Sequence, residues 1–116
     1  MRVQQQEQSL RLRIDEAELA RLLAGETAQN ETCWPDGRVE RQRLALAEQL
    51  DWQRDDDGWC IVLPASEVRA LAARLPSRDG LTWDMPVPGG EVLRILFDVD
   101  VRDSTRQRHG HRKRDA

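Results

Sequence analysis

At 116 residues, 39% apolar and 34% charged, the chain has material for one hydrophobic core and must leave much of every element in water. Its formal charge of -3 is unevenly spread: Arg102, Arg106, Arg108, Arg112, Lys113 and Arg114 crowd residues 102–116 against Asp103 and Asp115, so residues 1–101 are acidic. An acidic body argues against duplex DNA as its main partner, because phosphate neutralisation supplies most of that affinity. No segment has the pattern of a signal peptide or a membrane span, so a cytosolic protein without a membrane partner is expected.

In chain order, residues 1–8 read as an N-terminal segment, 9–101 as a single α+β domain and 102–116 as a basic tail of disordered composition. The first strand is expected over Gln8 to Ile14, where Leu10, Leu12 and Ile14 alternate with Arg11 and Arg13. Asp15 then stands where an N-cap would, and Glu18 follows at capping-box spacing. Leu19, Leu22 and Leu23 form the stripe of a short helix that Gly25 stops. The "PDG" stretch, Pro35 to Gly37, is turn chemistry, and a strand follows with Leu44 and Leu46 on one face. The polar "QLDWQRDDDG" reads as a loop.

The second half repeats the plan. Trp59, Ile61 and Leu63 alternate until Pro64, and "ASEVRALAARL" is helical with Val68, Leu71, Ala72 and Leu75 inward. "LTWDM", a "PVPGG" turn and "VLRILFDVDV" supply two more strands. At a fixed offset of 49 positions Ile14 meets Leu63, Glu18 meets Glu67, Trp34 meets Trp83, Leu44 meets Leu93 and Leu46 meets Ile95. The two turns are about three positions out of step. The expectation is two strand-helix-strand-strand units, 9–50 and 58–101, giving about six mainly antiparallel strands as a sheet or small barrel with two short helices. Trp34, Trp59 and Trp83 are expected in the core, and Trp52 in a loop.

"SLRLRIDEAELARL" near the start, Val62 to Pro64 in the middle and "LRILFDVD" near the end resemble a family of small bacterial proteins of unknown function. That family opens on a Ser-Ile/Leu-Arg-x-Arg-Leu strand and closes on Leu-x-Ile-Leu followed by Glu-Lys-Asp-Phe. Asp98-Val99-Asp100-Val101 replaces the closing motif here, so the family's lysine is a valine. The resemblance implies a fold and no activity.

Arg11, Arg13 and Arg94 are the candidate binding residues of the body, on a face opposite the leucines. Such guanidinium groups bind phosphate or carboxylate bidentately, or pair with neighbouring carboxylates across strands. Arg41 and Arg43 take the corresponding place opposite Leu44 and Leu46. Asp98 and Asp100 share a strand face, as a Mg²⁺ pair would, or as outward charges on an edge strand.

Arg108, Arg112, Lys113 and Arg114 are the candidate binding residues of the tail, for an anionic protein or RNA. His109 and His111 also lie there, so residues 1–101 contain no histidine base for Ser-His or Cys-His catalysis. Cys33 and Cys60 lack metal-site spacing and read as reduced thiols. No catalytic residue, metal ligand or cofactor is expected.

Three functions follow. A non-enzymatic binding module is favoured. A nucleic-acid-associated regulator is the alternative, since Leu63-Pro64 before a helix resembles the swapped-hairpin barrels of bacterial transition-state regulators. A metal-dependent phosphate-handling enzyme using Arg11, Arg13, Arg94, Asp98 and Asp100 comes third.

Overall fold

The computed structural model describes residues 1–101 and holds two helices and eight strands. The α+β class expected from the sequence is what it shows. In order these are β1 (Arg2–Gln6), β2 (Ser9–Asp15), α1 (Glu16–Leu23), β3 (Ala28–Cys33), β4 (Val39–Ala47), β5 (Asp51–Asp55), β6 (Gly58–Pro64), α2 (Ala65–Ala73), β7 (Leu81–Pro86) and β8 (Val92–Asp100). The expectation of six strands therefore missed two. Arg2–Gln6 pairs antiparallel with β2, and Asp51–Asp55, read as loop, pairs antiparallel with β6. Each half of the chain is hairpin, helix, hairpin.

The strands form two four-stranded sheets, ordered β1-β2-β8-β7 and β3-β4-β6-β5. Each sheet takes one hairpin from each half. The outer pairs are antiparallel hairpins, whereas the central pairs, β2 with β8 and β4 with β6, are parallel. Parallel neighbours need a long crossover, and the intervening chain with its helices supplies it. The result is two mixed sheets rather than one sheet or a closed barrel.

Alternation dictates which side each strand buries. Along β2 the leucines and the isoleucine at even positions are buried and the residues between them half-exposed. The same alternation runs through β8, with Ile95, Phe97 and Val99 inward. Leu12, Ile14, Leu44, Ile61, Leu63, Val68, Ile95 and Phe97 are each no more than 1% exposed and belong to one continuous core drawn from both sheets and both helices. At about 1.5–3 kcal/mol for each large apolar side chain buried, this cluster outweighs any surface ion pair in the molecule.

The helices are only 8 and 9 residues long, so packing and capping must stabilise them. The Asp15 carboxylate accepts from the Glu18 backbone N–H at 2.7 Å, and the Glu18 carboxylate accepts from the Asp15 N–H at 3.2 Å. Leu19 and Leu22 are the buried face of α1; Val68 and Leu71 are that of α2, whose N-cap Pro64 offers no side-chain acceptor.

The strand pairings correct the fixed offset of 49. It relates β2 to β6 and α1 to α2, but β4 and β8, both nine residues long, correspond at 53. Leu44 thus matches Phe97, not Leu93, and both are fully buried. The turns agree at this offset too: the Gly37 N–H donates to the Trp34 carbonyl at 2.8 Å and the Gly90 N–H to the Val87 carbonyl at 3.4 Å. Trp34 matches Val87 rather than Trp83.

The tryptophans depart from expectation in two places. Trp59 is buried and Trp83 packs half-buried against the core, but Trp34 stands 46% exposed at the β3–β4 turn. Trp52, placed in a loop from sequence, lies half-buried on β5 and stacks on Trp59 with ring centroids 5.6 Å apart. No helix of the described residues is long and apolar enough to cross a membrane.

Candidate functional site

The outward face of the first sheet carries the arginines singled out above. Parallel pairing puts Arg13 directly opposite Asp98 and Arg11 opposite Leu96, one alternation away on the same face. Both arginines reach the one carboxylate. Asp98 Oδ2 accepts from Arg11 Nη2 at 2.6 Å and Nε at 3.1 Å, and Oδ1 accepts from Arg13 Nε at 2.9 Å. Burial raises the Asp98 pKa, but the hydrogen bonds from Arg13 and then Arg11 outweigh it and leave the carboxyl below its ordinary value. The carboxylate is therefore ionised near neutral pH, and the triad keeps one net positive charge. Its arginine side chains remain 42% and 34% exposed, against 21% for the aspartate.

Arg94 shares this face but not the triad, since its Nε donates to Asp84 Oδ1 on β7 at 3.1 Å. Arg41 and Arg43 lie on the other sheet. Arg41 pairs with Glu31 at 3.1 Å and with Asp57 at 3.2 Å. Arg43 pairs with Asp55 at 2.9 Å, and that hydrogen bond is the main cause of its raised pKa and of the lowered pKa of Asp55. The structure thus brings Arg11 and Arg13 together and leaves Arg94, Arg41 and Arg43 each with its own carboxylate partners.

Asp98 lies on a central strand rather than at an edge, and both of its oxygens are engaged by guanidinium groups. Among the described residues, no three His, Cys, Asp or Glu side chains are placed to hold a metal ion. Cys33 is exposed and Cys60 half-buried, and neither forms a disulfide. Arg108, Arg112, Lys113 and Arg114, with His109 and His111, lie outside the described residues.

Two further features were not read from the sequence. Arg54 sits over the Trp52 ring at 5.7 Å, extending the tryptophan stack to the surface. The "DWQRD" of β5 offered one apolar residue, too few for a period to show. The second feature is a cleft on the outward side of the second sheet, bounded by Ala45–Asp51, Gln53 and Val62. Only the pairing of β4 with β6 and of β5 with β6 brings those segments together.

The chain matches no protein-family model, and no match was found among curated proteins.

Proposed function

We propose that this domain is a cytosolic, non-enzymatic binding module whose first sheet presents Arg11 and Arg13 to an anionic group on a partner. The observation that supports this is the sharing of Asp98 by two guanidinium groups. A pair held on one central strand and buttressed by a carboxylate on its neighbour loses less side-chain entropy on binding than two free arginines would. Its spare positive charge lies on a half-exposed surface of an otherwise acidic body. Carboxylate and phosphate groups fit such a fork geometrically. Placing the protein in the family of small bacterial proteins that it resembles is compatible with this reading.

Titration of the protein with inorganic phosphate and, separately, with an Asp/Glu-rich peptide tests it by following the Nε signals of Arg11 and Arg13. Saturable shifts at these two are expected, and the accompanying backbone amide shifts along β2 and β8 should be lost in Arg11→Gln/Arg13→Gln. Shifts confined to other arginines, or none, would reject the reading.

A nucleic-acid-associated regulator is the second reading. The exchange of hairpins between the two halves favours it, because that topology is what the swapped-hairpin resemblance implies. This reading predicts salt-sensitive RNA or DNA binding that depends on Arg108, Arg112, Lys113 and Arg114.

A further inference from the structure

The two sheets correspond strand by strand, yet their outward faces are built oppositely. Pairing registers match Arg13 of β2 with Val62 of β6, Arg11 with Cys60, Asp98 with Ala45 and Arg2 with Asp51. Where the first sheet carries its arginine–aspartate triad, the second therefore carries short apolar side chains. A cleft of about 630 Å³ opens there, with Ala45, Ala47, Leu50, Val62, Glu48 and Asp51 among its lining residues. Val62, on the central strand between Ala45 and Asp51, lines the cleft and is only 8% exposed.

The charge around this cleft is also opposite to that of the triad. Glu48 and Asp51 make no ion pair with any described residue. Among the described residues, the Asp51 carboxylate accepts only from the Trp52 backbone N–H at 2.9 Å and the Gln53 amide at 3.2 Å. A lining that combines aliphatic side chains with two carboxylates suits an arginine, whose stem packs on aliphatic carbon while its guanidinium meets oxygen. At the corresponding positions the first sheet sets a guanidinium against a carboxylate, Arg13 against Asp98.

We propose that the cleft docks the chain's own basic segment, residues 102–116, with an arginine stem over Val62 and Ala45 and its guanidinium on Glu48 and Asp51. The segment follows Val101 in the chain and carries five arginines and a lysine but no large apolar side chain. Arginine stems are thus the apolar surface it has to offer. Fully extended, it reaches up to about 50 Å. The molecule measures 57 × 36 × 27 Å along its principal axes, so a segment of that reach spans either of the two shorter ones. Docking would occupy the same cations that a nucleic-acid partner of the second reading would use, so the segment would be released as that partner, or salt, competes.

The test uses the full chain and three variants: Arg106→Ser/Arg108→Ser/Arg112→Ser/Lys113→Ser/Arg114→Ser in the segment, Glu48→Gln/Asp51→Asn in the cleft, and both sets together. Amide signals of Ala45, Ala47, Leu50 and Val62 are compared. Segment substitution should move these signals in the wild-type body and leave them in place in the Glu48→Gln/Asp51→Asn body. High salt should drive the wild-type spectrum towards that of the segment variant. Cleft signals that ignore the segment substitutions, or that respond equally in both bodies, would overturn docking at this site. A response that fades on dilution would assign the docked segment to a second copy and overturn docking within one chain.

Discussion

Arg11 and Asp98 stand 87 positions apart in the chain and meet at 2.6 Å. The contact exists because β2 and β8 are neighbours in parallel register, which puts the first long strand of the chain beside the last. Replacing Asp98 by Asn removes the anion between Arg11 and Arg13 and leaves two like charges on one face. The expected cost is about 1–2 kcal/mol, above a lone surface pair because two arginines lose one partner. Arg11→Gln alone should cost less, since Arg13 still holds the carboxylate. Urea unfolding midpoints of the two variants give the comparison, and equal losses would mean that the triad does not act as a unit.

The same carboxyl sets a pH dependence. Asp98 is held below its ordinary value, so the folded protein takes up this proton at lower pH than the unfolded chain does. Its stabilisation is complete above the unfolded carboxyl value of about 3.9 and is lost as pH falls through the lower folded value. Wild-type stability should therefore drop more steeply below about pH 4 than that of Asp98→Asn, with the two curves converging in acid. Parallel curves through that range would remove Asp98 as a contributor.

How much of this was legible in the sequence depended on how many residues carried the signal. The alternation of β2 and the Asp15–Glu18 box could be read because each used several positions at fixed spacing. The strand β1, with Val3 alone among "RVQQQ", and β5, with Trp52 alone among "DWQRD", gave no period to count. Asp55 misled for a physical reason: its carboxylate accepts from the Asp57 and Gly58 N–H groups, so the aspartate run closes a hairpin turn where it read as a loop. The Arg11–Asp98 contact was open to inference as cross-strand charge pairing. Its exact partner was not, since that depends on a strand order that local sequence does not specify.

Gly58 begins β6 where its backbone runs close against that of Arg41 on β4. A Cβ built there would lie 1.9 Å from the Arg41 carbonyl oxygen, and its φ of +146° disfavours side chains as well. Gly58→Ala must push β4 and β6 apart and should cost roughly 3 kcal/mol or more, by strain and lost ladder bonds. Gly37→Ala meets no atom within 4 Å and suffers only from its φ of +88°, so about 1 kcal/mol is expected. Thermal unfolding of the pair separates crowding from backbone strain, and similar losses would contradict the close β4–β6 approach.

The unequal capping of the two helices is also measurable. Asp15→Ala removes the acceptor for the Glu18 N–H and should cost about 1 kcal/mol. Asp15→Asn should recover most of it, because an amide oxygen accepts the same bond. Chemical denaturation gives both values, and an Asn variant as weak as Ala would mean that charge at the helix N-terminus matters more than the hydrogen bond.

Trp34 and Trp52 separate binding from stability. Trp52 stacks on Trp59, a buried member of the core, so Trp52→Ala opens that end of the second sheet and should cost about 2–3 kcal/mol. Trp34 is nearly half exposed at a turn whose backbone bonds do not use its ring, so Trp34→Ala should change stability by less than about 0.5 kcal/mol. A large aromatic side chain held out on a turn has little to do for the fold and much contact area to give a partner. The measurement is paired: unfolding midpoints for both variants, with the anionic-peptide titration repeated on Trp34→Ala. Unchanged stability with weakened peptide binding would extend the partner surface to the β3–β4 turn, whereas a stability loss matching that of Trp52→Ala would show that the ring is packed in solution.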